Sequence, residues 1–307
     1  MQISTAFYFQ NTSKQLSDLQ TSLAQTQNQL STGKQITQPS DAPDQAAALT
    51  RLQSDITRQE GYQTTLTTVN DRLTSEETAL TSASDVMTRI KELATEAASD
   101  TLSASDRSSI AVELGTLRDQ LVSLANAQDG SGNYVFAGSN ASQPAYAQNA
   151  SGQVVYQGDQ TRMQVNVGDD RQLDLNMPGT DAFVNVVRTD ANGKPYGVNF
   201  FQALDDLTQA VSNSDQANIQ RGISEVNTLS DGISQGLGEV GANQSVSDMQ
   251  SSVLDAVKLT LQTSQSGIQD LDYNTAATRM NQEELALQAV QNTFAQIAQM
   301  SLFKYLS

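Results

Sequence analysis

Ser31 stands three residues before Lys34, the spacing at which a lysine can assist a serine nucleophile in acyl transfer. No Lys-Thr-Gly element accompanies it, and Ser31-Thr32-Gly33-Lys34 falls where a helical pattern stops, so these residues read as a helix end. Gly236-Leu237-Gly238-Glu239-Val240-Gly241 has the glycine spacing of a dinucleotide-binding turn. That turn needs a strand before it and a parallel βαβ unit around it; with neither in the pattern, the expectation is a flexible break between helices. Asp129 to Asn133 and Asp169-Asp170 offer oxygens to a cation. Neither has the distal bidentate glutamate of a calcium loop, so both read as turns. Glu76-Glu77 and Asp205-Asp206 are carboxylate pairs of the kind used in acid–base work, but their spacing puts them on helix faces expected to be solvated.

The 307 residues contain neither histidine nor cysteine. Their absence removes the usual general base near neutral pH, the commonest metal ligand and every Ser-His-Asp or Cys-His arrangement. A disulfide framework is excluded too. The sequence therefore points away from an enzyme: no catalytic, cofactor-binding or metal residue is assigned, and no cofactor is expected. A net charge of −17, from 34 acidic and 17 basic residues, argues against nucleic acid or an anionic membrane as partner. No stretch approaches a membrane span. Met1 to Tyr8 carries no basic segment followed by an apolar run, so export, if it occurs, is expected to use no cleaved signal.

What remains is the pattern of the helices. Phe9, Thr12, Leu16, Leu19, Leu23, Thr26 and Leu30 recur at alternating steps of three and four, as do Met280, Glu284, Leu287, Val290, Phe294, Ile297 and Ser301. That alternation draws a narrow seam along one face of a helix, the geometry of coiled-coil packing. The apolar members Phe9, Leu16, Leu19, Leu23, Leu30, Met280, Leu287, Val290, Phe294 and Ile297 are the candidate assembly interface. An ordinary intramolecular core and a seam between copies are both open readings. With only 37% hydrophobic residues, 5% aromatics and no tryptophan, the composition suits long helices that bury one stripe and solvate the rest.

The first helix is expected over about 12–31, closed by Gly33. Ser40 or Asp41 is expected to cap a second helix with Pro43 in its first turn. Leu52, Leu66, Leu73, Leu80 and Met87 share one seven-residue series, with Val69, Ala83 and Ile90 beside it, and no proline interrupts Asp44 to Ser99. About 55 residues at ~1.5 Å each make a rod of roughly 80 Å. Ser103 to Asp106 has the form of a capping box opening a third helix. From Tyr134 to about Val187 the period changes to two. Tyr134-Val135-Phe136, Val154-Val155-Tyr156, and the alternating runs from Met163 and Leu173 are strand candidates, with Gly168-Asp169-Asp170 as a hairpin loop. Helical spacing returns at Phe200, Ser214 is a candidate cap, and the last helix is expected over about 274–303. The fold class is mainly α with a β insertion: an elongated multi-helix rod, terminal coiled-coil helices and a small outer β domain. The expected domains are 1–42 plus 273–307 for assembly, 43–133 plus 197–272 for the helical rod, and 134–196 for the outer β domain.

Gln29 to Ile36, followed by Pro39-Ser40-Asp41-Ala42-Pro43, resembles the N-terminal signature of the flagellin superfamily. Gly130 to Gly138, with Asn133-Tyr134-Val135-Phe136-Ala137-Gly138, is similar to the segment entering the outer β domain of its hook-associated branch. Asp272 to Met280 and Leu285 to Ala289 resemble the C-terminal signature, and the ending Ser301 to Leu306 is closer to the hook-associated branch than to filament flagellins. Ala42 departs from the pattern, where an aspartate is common.

The resemblance implies a structural subunit of the bacterial flagellum at the junction of hook and filament. It implies a secreted location on the flagellum, reached by type III export, with assembly through the N- and C-terminal helices into a ring of like copies. The implied neighbours are the first hook-associated protein (FlgK) and flagellin or the filament cap. An FlgN-like cytoplasmic export chaperone is implied at the C-terminal helix. The alternative is a small filament flagellin subunit. The terminal helices offer narrow stripes and isolated helices are marginal in water, so they are expected to be unpaired or frayed in the monomer and ordered on assembly.

Overall fold

The structure, a computed structural model, describes residues 2–305, and the side chains of 7–296. Among the described residues the chain runs through α1 (Gln2–Thr32), α2 (Pro43–Ala97), α3 (Ala104–Ala125), β1 (Tyr146–Gln148), β2 (Val154–Tyr156), β3 (Gln164–Asn166), β4 (Gln172–Asp174), α4 (Gly179–Ala182), β5 (Val186–Thr189), β6 (Pro195–Val198), α5 (Phe200–Ser212), α6 (Gln216–Gln269) and α7 (Tyr273–Tyr305). It is a mainly helical protein with a small β region. Two compact units divide it: Met1–Arg58 with Val257–Ser307, and Gln59–Ala256. No described helix is long and apolar enough to cross a membrane.

The second unit holds the hydrophobic core. On the heptad series of α2, Leu66 packs in a smaller cluster with Val167, Leu173 and Leu254. Leu73, Leu80 and Met87 enter this core at 2% exposure or less, with Val69, Ala83 and Ile90 beside them. Ile110, Leu114 and Leu121 from α3, Leu204 and Leu207 from α5, and Ile219, Val226 and Ile233 from α6 complete the cluster. Each leucine taken from water contributes roughly 1.5–3 kcal/mol. An aromatic knot carries the β region into this core. Phe183 meets Phe136 edge-on at 5.6 Å and Phe200 at 5.2 Å, and Tyr146 meets Phe201 at 5.1 Å.

The β region consists of three antiparallel hairpins, β1–β2, β3–β4 and β5–β6. The strand expected at Val154–Tyr156 and the hairpin around Gly168 are present. Tyr134-Val135-Phe136 is not a strand. Only Tyr134 forms an isolated bridge, to Gln128, because the backbone carbonyls of Tyr134 and Val135 are taken by the Arg72 guanidinium at 3.2 and 2.9 Å. The β5–β6 hairpin, closed around Asp190 and Gly193, was not expected from the sequence.

The expected break at Gly236–Gly241 does not exist, for α6 runs through it. Gly232 and Gly236 are there for contact instead. A Cβ on Gly232 would stand 2.7 Å from a Val184 methyl and 2.9 Å from the Ala182 carbonyl, and one on Gly236 would stand 2.9 Å from the Ala182 Cβ. Ser214 does not cap α6 either; it is left-handed, with φ 56°. Asp215 does the work, accepting from the Asn218 N–H at 3.1 Å. The Ser103 capping box on α3 is as expected.

Of the carboxylate pairs, Glu77 alone is on the solvated face expected for them. Glu76 is 1% exposed, whereas Glu77 is exposed and accepts from Gln244 at 2.8 Å. Asp205 pairs with Arg118 at 2.9 Å, and Asp206 with Arg188, which also forks onto Glu225. One residue of helix is about 100° of rotation, so neighbours in a pair face different surroundings.

Candidate assembly interface

The first unit is built on the turn that ends α1. Gly33 closes the helix with φ +68°, a conformation that costs a residue with a Cβ about 1–2 kcal/mol. A Cβ there would also stand 2.8 Å from the Tyr273 hydroxyl. The chain then pairs across to the root of α7. Gln35 N–H donates to the Gln269 carbonyl at 2.8 Å, and Leu271 N–H donates to the Gly33 carbonyl at 3.0 Å. Lys34 and Asp270 are the antiparallel partners between them. The Ser31–Lys34 pair is thus divided between a helix end and a bridge, with no nucleophilic site.

Two aspartates fasten this junction. Asp41 does not cap α2. Its Oδ2 accepts from the Thr37 and Gln38 amides at 3.0 and 2.9 Å and from the Thr37 hydroxyl at 3.0 Å, while Oδ1 accepts from Gln25 at 3.1 Å. These bonds, the Gln38 amide first, hold its carboxyl below the usual carboxylate range. Asp272 caps α7, accepting from the Thr275 hydroxyl at 2.7 Å and the Asn274 amide at 3.0 Å. The Thr275 hydroxyl is the main cause of its lowered pKa. A cleft of about 320 Å³ beside the junction is lined by Gln25, Gln29, Ile36, Asp41, Asp272 and Arg279, among others. Among the described residues, no group of three or more carboxylates could hold a metal ion.

Beyond the junction, α1 and α7 run antiparallel. Ser22 donates to Glu283 at 2.6 Å, and the Phe9 and Phe294 rings lie 4.9 Å apart. That register brings Leu16 level with Leu287 and Leu23 level with Met280. The termini, expected to be unpaired or frayed, are paired over the described residues, since α1 and α7 are partners within the chain. Packing on one neighbour covers only part of each seam. Leu16, Leu19, Leu23, Leu30, Met280, Leu287, Val290 and Phe294 are half-buried, and Phe9 is exposed. The Ile297 side chain lies outside the described residues, as does that of Ser301. The fully buried members of the α1 stripe are Thr12 and Thr26, joined by Gln29.

Sequence reasoning about apolar periodicity missed the polar junction. Gln29, Asp41 and Asp272 have no periodic signature, and their signal lay in the motif stretches Gln29–Ile36, Pro39–Pro43 and Asp272–Met280; Gln25 lies in none of them. It also missed exposed apolar side chains off the seam. Phe7, Tyr8, Leu259 and Leu285 are 64, 61, 65 and 66% exposed.

Comparison with known proteins agrees with this layout. Residues 3–141 match the bacterial flagellin N-terminal helical region, and residues 223–306 match the bacterial flagellin C-terminal helical region. The flagellar hook-associated protein 3 of Salmonella typhimurium is 27% identical over 318 residues, covering 99% of each chain. That of Escherichia coli is 26% identical with the same coverage. The crystal structure of Xanthomonas campestris FlgL superposes with a TM-score of 0.61 at 24% identity, over 71% of this chain and 99% of that one.

Proposed function

Because this chain belongs to the flagellin superfamily, we propose that it is a structural subunit of the bacterial flagellum that joins hook to filament. It resides in the flagellum and assembles with other flagellar components. Full-length similarity to hook-associated protein 3, rather than to the terminal helices alone, favours the junction over a filament subunit. The observation that carries the mechanism is the incomplete burial of the paired terminal helices. Among the described residues of the first unit, the buried apolar side chains are Ile36, Ile56 and Ala276, while the seam leucines stay half-buried. A stripe left open in the isolated chain gains apolar burial when further copies pack on it.

In this reading the residues from Phe9 to Leu30 and from Met280 to Ile297 form the contact that builds a ring of like copies. FlgK and flagellin or the filament cap are the neighbours on either side. An FlgN-like chaperone covers α7 before export. The role is mechanical, and no residue is assigned a catalytic one.

Leu23→Asp and Phe294→Asp test the reading. Each is expected to stop incorporation at the junction while the second unit keeps its helical content and unfolding midpoint. Normal joining of hook to filament by either variant would refute the seam. Deleting the gene separates the junction role from the filament role. Intact hooks with flagellin escaping as monomer are expected; absence of any flagellin to escape would mark a filament subunit.

A further inference from the structure

In the second unit, two carboxylates compete for one buried guanidinium. Arg72 on α2 gives its short contacts to the Tyr134 and Val135 carbonyls and to Asp129, the last at 3.3 Å. Glu76, one turn further on, accepts from the Met177 N–H at 3.3 Å. Its nearest cation atom is the Arg72 Nε at 3.7 Å, beyond hydrogen-bond reach. Both that Nε and the Glu76 Oε2 are buried without a hydrogen-bond partner. The other charges acting on Glu76 are Glu239 of α6, which repels its anion, and Arg162, which attracts it. Arg162 is already engaged by Asp174, Asp181 and Glu239. An anion at Glu76 is thus desolvated and shares its nearest cation, Arg72, with Asp129.

Met177 follows β4, and Tyr134 and Val135 lie ahead of β1. The Arg72–Glu76 turn of α2 therefore grips the chain on both sides of the first two hairpins. We propose that Arg72 and Glu76 form a pH-sensitive clamp, holding these segments on α2 while Glu76 is neutral and loosening them when it ionises. Burial is the chief influence on the carboxyl and raises it from 4.5 to about 8. A folded-state value above the unfolded one means stability that is full below 4.5, declines as the pH rises and is lost above about 8. Ionisation strengthens Glu76 as acceptor for the Met177 N–H, but burial outweighs that gain, so the anion is accommodated by admitting water between α2 and these segments.

The test compares the full chain with Glu76→Gln, which keeps the neutral shape and cannot ionise. Thermal midpoints are measured from pH 5 to 9, with amide exchange at 133–137 and 175–178 corrected for the intrinsic pH dependence. The midpoint of the parent chain is expected to fall relative to Glu76→Gln as the pH rises, levelling off above about 8. Exchange in the two segments should accelerate in the parent only. Asp129→Asn keeps Glu76 and frees Arg72 for it, so its relative decline should finish at lower pH; this variant carries the test even if Glu76→Gln does not fold. Parallel midpoint curves for parent and Glu76→Gln, faster exchange confined to other segments, or an unmoved decline in Asp129→Asn would overturn the clamp.

Discussion

Leu80 and Leu23 are leucines on long amphipathic helices at coiled-coil spacing, yet Leu80 has no exposed surface and Leu23 is half-buried. Leu80 lies in the unit where residues of α2, α3, α5 and α6 enclose one another. Leu23 lies in the unit whose terminal helices meet only as a pair, joined at Phe9–Phe294 and Ser22–Glu283. The same heptad writing therefore yields a closed core or an open seam, according to how many helices cover the stripe. Helix stability comes mostly from such packing, so an open seam is stability held in reserve for a partner.

The sharpest way to break this contrast is to truncate both leucines in the isolated chain. Leu80→Ala removes a fully enclosed side chain and is expected to cost about 2–5 kcal/mol in denaturant unfolding. Leu23→Ala should cost the isolated chain about 1 kcal/mol, because part of its surface is already in water. Its larger effect should appear in assembly, as weaker incorporation at the junction. Equal costs in the isolated chain would mean that the first unit owns a core after all.

Glycines on α6 sharpen the contrast from the side of the enclosed unit. Gly232→Ala forces a methyl against Val184 and the Ala182 carbonyl and is expected to cost about 1–3 kcal/mol. Gly238 has nothing within 4 Å of the added Cβ. Gly238→Ala should instead stabilise the helix by about 0.5–1 kcal/mol. A lowered thermal midpoint for the first and a raised one for the second are the readouts.

The same glycines show where the sequence could be read. Apolar periodicity on α2 and the seams on α1 and α7 were legible because they are local and repeat. Gly232 and Gly236 were not, since their reason is Ala182 and Val184, distant in sequence and close in space. Phe136 looked like strand because it is apolar among apolar neighbours; it is instead buried in an irregular segment against Phe183. Glu76 looked solvated beside Glu77 because charge predicts exposure only on average. Within the candidate interface, periodicity exposed the apolar half and was silent on the polar junction around Asp41. No repeat governs a single carboxylate that gathers amides from Thr37 and Gln38.

Asp41 supplies the smallest effect and the most selective one. Its carboxyl is held below the usual range by the Gln38 and Thr37 amides. A lowered folded-state value means a contribution that is present above the unfolded value of 3.8 and lost as the pH falls through the lowered one. Amide exchange at Thr37 and Gln38 should therefore lose protection only in acid, and Asp41→Asn should weaken that protection while removing its pH dependence. Glu76 in the other unit is raised, so its response lies on the alkaline side. The two units should accordingly fail at opposite ends of the pH scale, the junction turn in acid and the enclosed core as Glu76 ionises. Exchange that rises in both regions over one pH window would mean that the contrast in burial does not reach their electrostatics.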